Sequence, residues 1–212
     1  MLYITEIYKS LQGESTWSGL PCTFIRLSGC NLRCSWCDTE YSFTSGDQLS
    51  IDEILDRVEQ LNCDLVEVTG GEPLAQDKVG ELVQKLLDLG KTVLVETGGH
   101  MDIDLVSNES IRIMDIKCPA SKMSHKNDLN NIAKLTPKDE VKFVIQNKED
   151  FLWAEKTIRE YKLEKKCTVI MSTVFGLMDR EELADLILQS GLNIRMQIQL
   201  HKLIWSEDTK GV

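Results

Sequence analysis

Short apolar, β-branched runs alternate with amphipathic stretches along this chain, and that alternation restricts its fold more than any other feature. The runs cover residues 2–8, 22–27, 65–69, 92–96, 111–116, 141–145, 167–172 and 194–200. Between several of them apolar residues recur at helical spacing. Ile51, Ile54, Leu55, Val58 and Leu61 share one helical face, and Ser50 with Glu53 forms a capping-box pair ahead of them. Val79, Leu82, Val83, Leu86 and Leu87 mark a second helix, which Gly90 closes as a left-handed cap. Phe151, Ala154, Ile158 and Tyr161 suggest a third, and a fourth runs from an Asp179 cap to Gly191. Strand, helix and strand in repetition call for parallel pairing with right-handed crossovers. The expectation is an α/β protein whose sheet is open and doubly wound or curved into a full or partial barrel. Either form puts the ligand at the C-terminal ends of the strands. With four prolines and no low-complexity linker, the chain reads as a single domain over residues 1–212.

Composition narrows the class of partner. Against 24 Lys and Arg stand 34 Asp and Glu, a formal charge of -10, which argues against the nucleic-acid backbone or anionic lipid as a main partner. No apolar run approaches the roughly 20 residues of a membrane span, and the start, MLYITEIYKSLQ, lacks the layout of a signal peptide. A cytoplasmic protein is expected. In that compartment thiols stay reduced, so clustered cysteines point to metal rather than to disulfides.

Seven cysteines are present, and Cys30, Cys34 and Cys37 fall within eight residues directly after the run 22–27. Three thiolates in a C-x3-C-x2-C loop can fold round one metal centre. Structural zinc wants a fourth protein ligand, and the histidines, His100, His125 and His201, are all distant in sequence. An iron–sulfur cluster ordinarily takes four cysteines; with three, one iron stays open to an exogenous ligand. Buried structural thiols are the third reading. Cys22, Cys63, Cys118 and Cys167 read as small packing residues.

The loop, with Trp36 at the aromatic position, resembles the signature of the radical S-adenosylmethionine (SAM) superfamily. Thr69-Gly70-Gly71-Glu72-Pro73, after the run 65–69, is similar to that superfamily's GGEP motif, which binds the methionine end of the cofactor. The resemblance implies a radical SAM core, a partial (β/α) barrel with parallel strands. It implies a 4Fe-4S cluster on Cys30, Cys34 and Cys37 whose open iron chelates SAM, and an external one-electron donor. Trp36, Cys37, Asp38 and Gly71, with Lys117 and Ser172 near the ends of later strands, match cofactor-binding positions.

Within that superfamily the runs Gln12-Gly13-Glu14, Thr23 to Leu27, Asp38-Thr39, Glu96 to Gly99, Asp115 to Pro119 and Gln199 to Lys202 resemble the 7-carboxy-7-deazaguanine synthase family over essentially the whole length. The implied reaction is the radical ring contraction of 6-carboxy-5,6,7,8-tetrahydropterin with loss of ammonia, SAM being regenerated. By that resemblance Gln12, Gly13, Glu14, Arg26, Thr69 and His201 bind the pterin. Thr39 holds Mg²⁺, which needs further oxygens to complete its octahedron. A homodimer is implied, and the run 204–212 is expected to close over the site. By alternation alone Arg26 would face solvent, Gln-Gly-Glu would be a polar turn, and His201 a structural histidine ending a strand. Two rivals share part of the pattern. A radical activase has the cluster and GGEP motifs but is not expected to carry Gln12-Gly13-Glu14, Arg26 and Asp38-Thr39. A zinc-stabilised binding module predicts a colourless protein without iron. One departure stands out: the family commonly has glycine where this chain has Ser15.

Overall fold

The structure is a computed structural model and describes residues 1–44, 46–205 and 209–211. Nine strands form one sheet: β1 (Leu2–Leu11), β2 (Pro21–Leu27), β3 (Asp47–Leu49), β4 (Leu65–Gly70), β5 (Thr92–Thr97), β6 (Ile111–Asp115), β7 (Glu140–Ile145), β8 (Thr168–Thr173) and β9 (Arg195–Gln197), in the order β3-β1-β2-β4-β5-β6-β7-β8-β9. From β2 onward every pair is parallel and the strands follow one another in chain order. A doubly wound sheet must reverse direction at a switch point. This one does not, so its right-handed crossovers all fall on the same face and the sheet curls as an open, partial barrel. Two strands depart from the all-parallel expectation. β1 runs antiparallel to β2, and the short β3 runs antiparallel to β1.

The helical readings hold: α1 (Ile51–Gln60) carries the reciprocal Ser50–Glu53 capping box, and α2 (Val79–Asp88) is followed by Gly90 at φ +76°. Helix α3 (Lys148–Tyr161) is capped by Asn147, and α4 (Arg180–Ser190) by Asp179, with Gly191 left-handed at its end. Their apolar faces bury against one side of the sheet, where Ile25, Val66, Val68, Val93, Val95, Val141, Phe143, Val169 and Met171 form the main core. The opposite, concave face starts from a smaller apolar floor of Cys22, Phe24, Cys63, Leu65, Leu94 and Ile113, on which the Tyr8 and Phe24 rings stack at 5.1 Å. Above that floor the inward positions turn polar.

The expected strand 194–200 shrinks to Arg195–Gln197, because the chain then turns into the helical segment α5 (His201–Ile204). The Leu200 amide donates to the Gly13 carbonyl at 3.0 Å, which bends the chain towards the β1–β2 loop. His201 therefore sits on a helical turn and not at a strand end. Among the described residues no helix is long and apolar enough to cross a membrane. Of the run expected to cover the site, 206–208 and 212 lie outside the described residues.

Candidate active site

A cavity of about 730 Å³ opens on the concave side at the C-terminal ends of the parallel strands. Cys30, Cys34 and Cys37 line it, on the loop leaving β2. That loop is stitched to its surroundings at several points. Glu72 N donates to Gly29 O at 2.8 Å, Gly71 N to Leu27 O at 3.1 Å, and Ser35 N to Ser121 O at 3.1 Å. The GGEP turn is thus built into the base of the cysteine loop. A Cβ on Gly71 would lie 2.2 Å from Gly29 O and 2.8 Å from Cys30 Cβ, so this glycine serves close backbone packing rather than only approach to a ligand. Alanine at Gly71 has to push a backbone carbonyl aside, an overpacking expected to cost about 1–3 kcal/mol. Urea denaturation of Gly71→Ala beside the parent reads that loss directly.

Glu72 is buried and accepts from Leu74 N (3.0 Å), Thr97 Oγ1 (2.8 Å) and Gly98 N (2.8 Å). Burial nonetheless pushes its carboxyl up. Lys117 Nζ pairs with Asp115 Oδ2 at 2.7 Å and lies 5.5 Å from the centroid of the Trp36 ring. Burial also raises the Cys30 and Cys34 thiols, with the Lys117 ammonium pulling the other way. A bound metal's positive charge is what would drive such thiols to the thiolate.

Among the described residues no group of three His, Cys, Asp or Glu side chains is drawn together in the manner of a single-ion site. The three soft thiols on one cavity wall nevertheless fit an iron–sulfur cluster by donor chemistry. Trp36 Nε1 and Asp115 Oδ1, both on residues lining the cavity, are buried without a hydrogen-bond partner among the described residues, as polar atoms awaiting a ligand are. Thr39 follows the loop with its hydroxyl 3.7 Å from Cys37 Sγ.

Deeper in the same cavity lies a belt of charged and amide groups. Lys142, in the middle of β7, is buried between two carboxylates, pairing with Glu14 Oε2 and, at 2.8 Å, with Glu96 Oε1. Gln199 Nε2 donates to Glu14 Oε1 at 2.9 Å. Burial would raise the Glu14 carboxyl, but the Lys142 ammonium and the Gln199 amide together hold Glu14 below the ordinary carboxylate range. Gln12 donates through Nε2 to Glu67 and accepts at Oε1 from Glu14 N at 3.0 Å. Arg26 lines the cavity and does not face solvent; its Nε meets Glu6 Oε1 at 2.7 Å and an Nη meets Tyr8 Oη at 3.2 Å. Thr69 Oγ1 lies 3.5 Å from Glu96 Oε2.

His201 packs on Gly13 so tightly that a Cβ there would fall 2.2 Å from Nδ1, and burial lowers its imidazole. Lys202 on the same turn reaches Asp38 at 2.8 Å. Residues 209–211 also border the cavity. Of the positions singled out in the sequence, Gln12, Gly13, Glu14, Arg26, Cys30, Cys34, Trp36, Cys37, Asp38, Thr39, Thr69, Gly71, Lys117 and His201 all line this one cavity. Ser172 is the exception. It is buried in β8 and its neighbour Thr173 lines the cavity instead. Glu67 and Lys142 were not anticipated, although a charge inside the apolar runs LVEVTG and EVKFVI was the available signal. Ser15 holds φ +64°, the left-handed conformation that a glycine there would adopt freely. Gln197 clamps it in place, accepting from Ser15 N and donating to Ser15 O, both at 2.8 Å.

A three-cysteine loop after the first parallel strand, a GGEP turn after the second and an open parallel barrel define a radical SAM protein. The model of the Radical SAM superfamily matches residues 24–187. The chain is 43% identical over 228 residues to the 7-carboxy-7-deazaguanine synthase of Koribacter versatilis, covering all of both chains, and 42% identical over 214 residues to that of Chlorobaculum tepidum, covering 100% of this chain and 97% of the other. It belongs to the 7-carboxy-7-deazaguanine synthase family. The crystal structure of QueE from Escherichia coli shares the fold, with a TM-score of 0.77 at 21% identity over 94% of each chain. Superfamily membership implies a 4Fe-4S cluster and SAM, with reduction by an external one-electron donor.

Proposed function

We propose that this protein is a radical SAM lyase that converts 6-carboxy-5,6,7,8-tetrahydropterin to 7-carboxy-7-deazaguanine with loss of ammonia, in queuosine-type deazapurine biosynthesis. The observation that supports it best is the belt of Gln12, Glu14, Arg26, Glu67, Glu96 and Lys142 in the same cavity as the three thiols. Its mixed donors and acceptors suit a flat, nitrogen-rich ring bearing a carboxylate. Cys30, Cys34 and Cys37 would hold the cluster, and Trp36, Asp38, Gly71 and Lys117 would surround SAM. Ser172, buried in β8 level with the cavity-lining Val144, would complete that set. When bound, cluster and SAM supply the one-electron chemistry that removes a hydrogen atom from the substrate.

The chain's own groups bind and orient. Gln12, Gly13 and Glu14 take one edge of the ring, Thr69 and His201 flank it, and the Arg26 guanidinium faces the carboxylate, for which its planar fork is suited. Because Glu6 already pairs with Arg26, a second positive charge would help hold the substrate carboxylate, and Thr39 would hold the Mg²⁺ that could supply it. On the same reading the protein is a cytoplasmic homodimer, one domain over residues 1–212, with no direct nucleic-acid or membrane partner. The formal charge of -10 supports the absence of a nucleic-acid role.

The decisive assay is anaerobic: reconstituted protein, reductant, SAM, Mg²⁺ and the tetrahydropterin, with mass detection of the product. Product with little net SAM consumption is the expected result. 5′-Deoxyadenosine without product would overturn the substrate and keep the superfamily chemistry. Thr39→Ala is expected to keep iron content and SAM cleavage while turnover falls and its Mg²⁺ activation weakens. Unchanged activation by Mg²⁺ would remove Thr39 from the metal site.

A further inference from the structure

Glu67 is a carboxyl where an apolar side chain would be ordinary. It stands in the middle of β4, level with Phe24 on β2 and Leu94 on β5, and it lines the cavity. Burying an ionised carboxylate in such a layer is costly unless a cation accompanies it. No cation does. Among the described residues Arg26 pairs with Glu6, and Lys142 with Glu14 and Glu96, while Glu67 has only the neutral Gln12 amide as its hydrogen-bond partner.

Two carboxyls therefore flank Gln12 in opposite settings. Glu14 sits against the Lys142 ammonium and also accepts from Gln199, so it stays ionised and can only accept. Glu67 lies in an apolar layer near two further carboxylates, and these outweigh the Gln12 amide and the Arg26 charge, which favour its ionised form; it therefore keeps its proton and has a hydrogen to donate. Burial, followed by the charge of Glu96, pushes Glu67 up to about 8, in keeping with that assignment. Gln12 cannot exchange these roles by turning over, because its Oε1 is held by Glu14 N and its Nε2 by Glu67.

We propose that Glu67, in its neutral form, is a specificity residue that donates to an oxo group of the substrate ring, while ionised Glu14 accepts from the ring N–H groups. An acceptor and a donor on either side of one fixed amide complement the edge of a 2-amino-4-oxopyrimidine and reject the corresponding 2,4-diamino ring. The ring class rests on the pterin reading above; the division of labour between the two carboxyls goes beyond it.

The test is a fluorescence titration of the oxidised holoenzyme, which cannot turn over, with pterin-6-carboxylate and with 2,4-diaminopteridine-6-carboxylate. The parent is expected to prefer the oxo ligand by about tenfold or more, the scale of one hydrogen bond. Glu67→Leu, whose side chain suits the Phe24–Leu94 layer, is expected to lose that preference and to bind pterin-6-carboxylate about tenfold more weakly, with iron content unchanged. Glu67→Gln keeps a neutral donor and is expected to retain most of the preference. If Glu67→Leu discriminated like the parent, the inference would fall and the pterin reading would stand. A parent holoenzyme that ignored pterin-6-carboxylate would overturn the pterin reading and this inference with it.

Discussion

Alanine at Cys34 is expected to give a folded, colourless protein that binds no cluster and neither cleaves SAM nor forms product. The side chain is half-buried on the cavity wall and belongs to a loop held by backbone bonds rather than by its thiols. Ser35 is tied to Ser121, Cys37 N bonds Cys34 O at 3.3 Å, and Glu72 N holds Gly29 O. Removing one sulfur leaves all of these in place, so the cost falls on the metal site and not on the fold. On the proposed assignment, a cluster held by only three protein ligands would lose one of them. Cys118→Ala is the matched control. Cys118 is buried a short way from the same loop, and burial drives its thiol well up, which marks an inert packing residue. Iron content, visible absorbance and 5′-deoxyadenosine formation should vanish in Cys34→Ala and persist in Cys118→Ala. Iron retained in full by Cys34→Ala would mean that the loop is not the cluster site.

The elements legible in the sequence were those whose local chemistry and burial pattern agree. α1 begins where its capping box says, and α2 and α4 end at the glycines that stop them. The parallel sheet followed from the alternation, but its curvature did not, because strand order is a long-range property that no local period encodes. β3 was missed because three residues pairing with the start of β1 bury only Leu49. The end of β9 was overextended because apolar residues in the run 198–204 serve a helical turn against Gly13 equally well. The candidate site divides in the same way. Its motif residues sit on loops, where spacing carries information. The belt does not, since Glu67, Glu96 and Lys142 meet only after four parallel strands have assembled. Arg26 shows the difference in one residue: alternation pointed it outward, whereas the concave face of a curled sheet turns that side into the cavity wall.

Lys142→Met tests that belt, with an effect expected to be as large as any single substitution in the cavity. The ammonium is buried, and the two carboxylates that hold it come from the β1–β2 loop and from β5. Methionine preserves much of the length and removes the charge, leaving Glu14 and Glu96 close together without a cation. Breaking a buried pair from one side costs about 3–5 kcal/mol, because the remaining charge is uncompensated. The pH dependence should change sign along with the stability. In the parent, Glu14 has a folded pKa below its unfolded one. Its contribution is therefore fully present above the unfolded value and is lost as pH falls through the folded value. In Lys142→Met the same carboxyl, with burial now opposed only by the Gln199 amide, is expected to have its folded pKa raised, so acidification towards the ordinary carboxylate range should stabilise the variant. Thermal melts from neutral to mildly acidic pH separate the two slopes. Adding Glu14→Gln to Lys142→Met removes one of the stranded charges and is expected to recover part of the lost stability. Affinity for pterin-6-carboxylate should stay low, because a neutral amide then replaces the ionised, acceptor-only carboxylate opposite Glu67. Recovery of both together would mean that the ion pair serves the fold alone and that Glu14 takes no part in holding the ring.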